Sequence, residues 1–260
     1  LLHAAFSFGG VVGALSAGAL LQAGVDYRHV YLMLLAPLAV VVIAVSFTRF
    51  PAPEPHQVGG AEKAGGLYRN LPLLLVAAIA TLGMLSEGEM EHWSGVYLRQ
   101  TLGLSALLGG SGVAVFFGAM TLGRLGATWT ISRFGDRRTL LGAGLLAAAG
   151  MSLALATREP VLVVAGFLVV GLALSAIVPI AFSVAGDLAP GRAGAAISVV
   201  TTLGYGGFLL GPVIVGGLAE VVGLRVALGT IAVAGVVIST LSLRVGVRQA
   251  PAGKAGPGSS

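Results

Sequence analysis

Eight stretches of this chain are apolar for long enough to cross a bilayer. A spanning helix needs about 20 predominantly apolar residues to cover roughly 30 Å of hydrocarbon. Such runs occur at Leu1–Gly24, Val30–Phe47, Leu71–Leu98, Ser105–Trp129, Leu140–Thr157, Pro160–Ala185, Ala195–Glu220 and Val226–Gly246. The apolar residues are continuous within each run and do not alternate with period two, which argues against a transmembrane β-barrel. In lipid, a helix satisfies every backbone polar group within its own segment. The pattern therefore predicts an all-α polytopic bundle of about eight transmembrane helices. Pro72 suits the first turn of the third span, where its missing N–H would have no partner in any case.

Two segments break the pattern. Residues 49–70 are polar and rich in Pro, Gly and Ala, with Pro51, Pro53 and Pro55 spaced as in an extended linker. Residues 247–260 form a Gly/Pro/Ser tail expected to be disordered. Lys and Arg are divided unevenly between the two sides of the predicted topology. One side carries Arg28, Arg99, Arg158 and Arg225; the other eleven basic residues, Arg124 among them, fall on or near the opposite side. The positive-inside rule puts that richer side, with the linker and the tail, in the cytoplasm. Both ends of the chain then face inward, which requires an even number of spans.

Composition narrows the class further. Of 260 residues, 56% are hydrophobic and 10% charged, against about a quarter charged in an ordinary soluble domain. The mean hydropathy of +0.96 agrees. Too few polar residues remain to coat a soluble enzyme, a nucleic-acid binder or a disordered chain. The net charge of +5 is read as orientation of helices, not as a nucleic-acid surface. There is no Cys, so a disulfide, a thiolate metal site and a Cys nucleophile are excluded.

The first and seventh spans resemble each other. Ser7-Phe8-Gly9-Gly10, Gly13, Gly18 and Arg28 recur as Gly204-Tyr205-Gly206-Gly207, Gly211, Gly216 and Arg225, about two hundred residues later. A parallel repeat of this kind suits a transporter built from two similar halves. Small residues four apart, as in Gly10-Ala14-Gly18 and Gly207-Gly211, let helix backbones approach closely. Pro212 removes one helical hydrogen bond and is a candidate bend; with Gly207 and Gly211 it forms a candidate packing or hinge site.

Three motifs carry a family resemblance. Residues 123–138, from Gly123-Arg124-Leu125 through Arg133-Phe134-Gly135-Asp136-Arg137-Arg138, resemble the cytoplasmic loop signature of the major facilitator superfamily. Residues 204–212, ending in Gly211-Pro212, resemble that family's eleventh helix in a bacterial permease-like branch. Residues 87–94, Glu87-Gly88-Glu89-Met90-Glu91-His92-Trp93-Ser94, resemble a pattern in its seventh helix. The resemblance implies a twelve-helix carrier of two six-helix halves, of which this chain would supply helices five to twelve. Residues 1–48 would close the N-terminal half, 49–70 would be the central cytoplasmic linker, 71–246 the C-terminal half and 247–260 the tail. It also implies a cytoplasmic gate, for which Gly123, Arg124, Arg133, Asp136 and Arg137 are the matching candidates. Thr128 stands where the family usually places a gate Asp, which puts an Asp-based latch in doubt.

The polar patch of the third span holds the most chemistry. A carboxylate at the centre of a membrane helix costs about 2.5–3.5 kcal/mol on insertion scales, and three fall within five positions here. Glu87 lies about 24 Å along the helix from Leu71, still inside the hydrocarbon. Glu87 and Glu91 share a helical face, while Glu89 and His92 share another. At least one of these faces should line a wet cavity. Glu87 is the candidate protonatable or substrate-binding group, with Glu91 and Trp93 lining the outer mouth and Tyr205 available to stack on a ring. Ser175, Ser183, Thr201 and Thr202 are expected to bond their own helices. The Glu/His spacing is not that of a helical metal site and the remaining histidines are scattered, so neither a metal nor a cofactor is expected.

The resulting expectation is a secondary active transporter of a small solute, coupled to protons and working by alternating access in the cytoplasmic (inner) membrane. Its partners would be the solute, protons and the lipid bilayer, with no nucleic acid and a monomeric state. A membrane-embedded enzyme using the acidic patch, and a non-transporting receptor or assembly subunit, are the alternatives.

Overall fold

The computed structural model describes residues 2–48 and 64–245. Of the expected linker only 64–70 falls within this range, with a short 3-10 helix at Ala64–Arg69; the rest of the linker and the tail lie outside the described residues. Among the described residues every regular element is a helix and no strand occurs. The helices are α1 (Leu2–Gln22), α2 (Tyr27–Met33), α3 (Leu35–Phe47), α4 (Leu71–Val96), α5 (Ala106–Phe134), α6 (Asp136–Ala156), α7 (Pro160–Leu174), α8 (Ile177–Leu188), α9 (Ala193–Val222), α10 (Leu224–Ala227) and α11 (Gly229–Ser242). A single π turn, Tyr97–Thr101, extends α4. Together these make eight helical units long and apolar enough to span a membrane, matching the eight apolar runs to within a few residues.

Local chemistry explains where the helices start and break. Asn70 caps α4 by accepting from the Leu73 N–H at 3.2 Å, and Pro72 occupies the first turn. Ser105 caps α5 in the same way. The second span breaks at Leu34, three residues before Pro37, which has no N–H to offer the preceding turn. The sixth span, expected as one helix, breaks at Ser175 and Ala176. Pro179, in the first turn of α8, cannot donate to Ser175, and the Ser175 hydroxyl donates instead to the Leu172 carbonyl at 2.6 Å.

The segment read as a cytoplasmic loop at residues 130–139 is almost entirely helical. α5 continues to Phe134, α6 begins at Asp136, and Gly135 alone makes the turn at φ +78° and ψ 163°. That region of backbone space is essentially closed to residues with a Cβ. Gly135→Ala is expected to cost about 1–3 kcal/mol of stability, measurable as a drop in the unfolding temperature in detergent.

The core runs through α4, α5, α6, α7, α8, α9 and α11. α4 packs along α9, α1 along α5, and α6 against both α7 and α11. α4 and α9 run parallel: Gly204, Gly207, Gly211 and Gly216 of α9 meet Met84, Thr81, Leu85 and Trp93 of α4. α1 and α5 run antiparallel, with Gly10 against Phe117 and Gly18 against Ala106 and Gly110. Gly9 and Gly13, the other small pair of α1, have open space beside them. α2 and α3 bury no residue.

Candidate functional site

Helices α1, α4, α5, α8 and α9 enclose a cavity of about 580 Å³. This is the size of a small-molecule site. Phe6, Phe182, Tyr205 and Phe208 make its walls largely aromatic, and its polar groups are Glu87, Glu91 and Arg124. The break between α7 and α8 lies beside it, so that Val178 of the first turn of α8 reaches the wall. Cavities bounded by interrupted helices are a recurrent feature of transporter sites.

The polar centre is an ion pair. Arg124 Nη2 lies 3.2 Å from Glu87 Oε1 and 3.3 Å from Oε2, so one nitrogen of the guanidinium spans both carboxylate oxygens. Both side chains are deeply buried, 6% and 7% exposed. The other terminal nitrogen of the same guanidinium donates to the Ser7 hydroxyl of α1. One arginine therefore joins three helices, two of them distant in sequence from α1. A guanidinium suits this task because its rigid fork presents several donors in fixed directions.

Arg124 is thus placed differently from the expected gate. It sits ten residues before the end of α5, about 15 Å from the α5–α6 turn, and faces the cavity. The remaining gate candidates lie nearer the turn. Arg133 and Arg137 are exposed, while Asp136 is buried at the first position of α6, where the helix dipole favours a negative charge. Gly123 packs against Ser175 and Leu172 of the α7–α8 break. Thr128 is exposed on α5.

The acidic patch splits as its helical spacing implies. Glu87 and Glu91 line the cavity, and Oε2 of Glu91 is buried without a hydrogen-bond partner. Glu89 points the other way, into a separate crevice. His92 lies with Nδ1 2.9 Å from the Gly88 carbonyl, so that nitrogen carries the proton. Tyr205 reaches the cavity and meets Phe208 edge-on at 6.4 Å. Trp93 lies outside the lining; its indole N–H donates to the Pro212 carbonyl at 3.0 Å and its ring packs on Gly216, which ties α4 to α9. Gly207 and Gly211 let α9 approach the carbonyls of Thr81 and Leu85, and Pro212 lies inside the unbroken helix. The polar role of Ser7 is not legible in the sequence, because a lone serine in an apolar run ordinarily bonds its own helix. Among the described residues no three His, Asp or Glu side chains converge as metal ligands would.

The fold and the cavity define a multi-pass helical membrane protein with a solute-sized site among its helices. Residues 98–259 match the sequence model of the Major Facilitator Superfamily, and the chain belongs to that family. It is 34% identical over 233 residues to an uncharacterized MFS-type transporter of Yersinia pestis, covering 88% of this chain and 59% of that protein. It is 34% identical over 178 residues to the membrane protein MosC of Rhizobium meliloti, covering 68% of this chain and 44% of that protein. The chain thus spans about half the length of the curated relatives it matches. Among solved structures, the Major Facilitator Superfamily transporter FucP in the outward conformation superposes with a TM-score of 0.61 at 20% identity, covering 85% of this chain and 55% of that one. The peptide transporter POT superposes with a TM-score of 0.61 at 19% identity, covering 66% of this chain and 37% of that one.

Proposed function

We propose that the protein is a secondary active transporter that moves a small solute across the cytoplasmic membrane by alternating access, coupled to protons through Glu87. The observation that carries this reading is the buried Glu87–Arg124 pair in the cavity wall, with the Arg124 guanidinium also held by Ser7 of α1. Protonation of Glu87 removes the charge that holds Arg124 between α4 and α5. The guanidinium is then free to reorganise its contact with α1, and α1 in this reading belongs to the N-terminal half. Proton binding would in this way loosen one half from the other. Solute entry into the same cavity would compete for the same groups.

The aromatic walls support a solute with an apolar face, and Glu91 supplies an acceptor for a donor group on it. The α5–α6 turn, with Arg133, Asp136 and Arg137, is proposed as the cytoplasmic gate, and Gly207, Gly211 and Pro212 as the packed hinge of α9. Domain halves meeting at the 49–70 linker, inward-facing ends and a monomeric state complete the proposal. The charge asymmetry of the loops supports the orientation.

The test is proton movement driven by solute. Proteoliposomes carrying the protein and an internal pH-sensitive dye would be challenged with panels of sugars, dipeptides and amphiphilic drugs. One class is expected to change the lumenal pH when applied outside, with acidification marking symport and alkalinisation antiport. Glu87→Gln is expected to reduce that proton flux at least tenfold while solute exchange at equilibrium persists. If solute-driven proton flux continues unchanged in Glu87→Gln, coupling through this residue is wrong.

A further inference from the structure

On the far side of α4 from the central cavity, a crevice of about 520 Å³ lies between α4, α9 and α11. Glu89 sits at its base and is 0% exposed. The Thr230 hydroxyl lies 2.9 Å from Glu89 Oε2 and 2.8 Å from the Ala227 carbonyl oxygen. It has one proton and can donate to only one of these at a time. Oε1 of Glu89 is buried with no hydrogen-bond partner. The protein therefore gives this carboxylate at most one hydrogen bond, where two oxygens can accept about four. Gly211 makes room for the side chain, since a Cβ there would stand 3.1 Å from Glu89 Cγ.

The walls of the crevice have a different character. Ile214, Val226, Val233 and Val237 line it and are themselves 41%, 63%, 64% and 38% exposed. The crevice lies on the side of α4 away from the central cavity, and its exposed apolar rim has the character of a lipid-facing surface. An under-bonded acid at the base of an apolar, lipid-facing slot favours one chemistry: a cation with N–H donors on an apolar chain. The chain matches the walls, and the ammonium supplies both charge and hydrogen bonds where a buried carboxylate is otherwise costly.

We propose that this crevice is a second ligand site that takes a lipophilic primary amine from the bilayer, with the ammonium on Glu89 and the hydrocarbon between α9 and α11. A long-chain amine bearing a diazirine in its tail tests it, with the protein in nanodiscs. After photolysis, mass spectrometry would map the cross-links. Labelling is expected on α9, α10 and α11 around Ile214, Val226 and Val233, competed by unlabelled dodecylamine. An alcohol with the same tail and diazirine is expected to label these positions at least tenfold less. Glu89→Gln should reduce amine labelling at least tenfold. Val233→Trp, at an exposed position on the crevice wall, should fill the slot and reduce it as strongly. Equal labelling by amine and alcohol, undiminished labelling in either variant, or cross-links confined to α1 and α8 around the central cavity would each overturn the proposal.

Discussion

Arg124→Gln is expected to destabilise the bundle by about 3–5 kcal/mol, because it leaves the Glu87 carboxylate buried with its counter-charge removed. Both side chains are deeply buried, 6% and 7% exposed, so the carboxylate loses its close counter-charge where solvation is poor. The substitution also removes the hydrogen bond to Ser7, which loosens α1 from the rest of the bundle. The companion experiment is the double variant Glu87→Gln/Arg124→Gln. With neither charge present, the two amides can hydrogen-bond each other, and at least half of the lost stability should return. A double-mutant cycle from thermal or denaturant unfolding in one detergent measures the coupling. If the two single effects simply add, the ion pair does not hold these helices together. Glu87→Gln alone should be the mildest of the three, since an arginine is long enough to find other acceptors along the cavity wall.

The eight spans were legible because bilayer thickness sets a length that apolar runs report directly. Their breaks were harder to read. Pro37 and Pro179 sit in runs so apolar that hydropathy hides them, and the interruption near Ser175 appears only when each helical hydrogen bond is followed. The loop signature at 123–138 identified the family but not its own geometry. Gly135 alone turns the chain, which leaves Arg124 well inside a helix. The face of the acidic patch was legible, since Glu87 and Glu91 are four apart and Glu89 lies off that stripe. The partner of Glu87 was not. Arg124 follows it by 37 residues, and Ser7 precedes that arginine by 117. Periodicity constrains neighbours on one helix and is silent on which helices meet. The positive-inside count also misassigned Arg124, because a basic residue near a helix end and one facing a cavity look alike in a list of charges.

Gly88→Ala is the second substitution expected to have a large effect, and its cause begins 124 residues away. Pro212 has no N–H, so the carbonyl of Phe208, one turn earlier in α9, is left without its helical hydrogen bond. α4 approaches that carbonyl at Gly88, and a Cβ added there would stand inside the van der Waals contact distance of the Phe208 oxygen. The obstructing atom is backbone, so no rotamer change can relieve the clash; α4 and α9 must separate. Overpacking of this kind costs about 1–3 kcal/mol. The neighbouring contacts share the strain, because Gly207 and Gly211 hold α9 against the Thr81 and Leu85 carbonyls of the same helix face. Glu87 adjoins Gly88, so the shift also disturbs the Glu87–Arg124 geometry, and solute-driven proton flux should fall at least tenfold. Gly126→Ala and Gly142→Ala provide the comparison, since nothing lies within 4 Å of a Cβ at either position. In those helices the exchange should be neutral or raise stability by up to about 1 kcal/mol, through helix propensity alone. The unfolding temperatures of the three variants, measured together in one detergent, decide the matter. Were Gly88→Ala as stable as Gly126→Ala, the close approach of α4 to the Phe208 carbonyl would not be what fixes the position of Glu87.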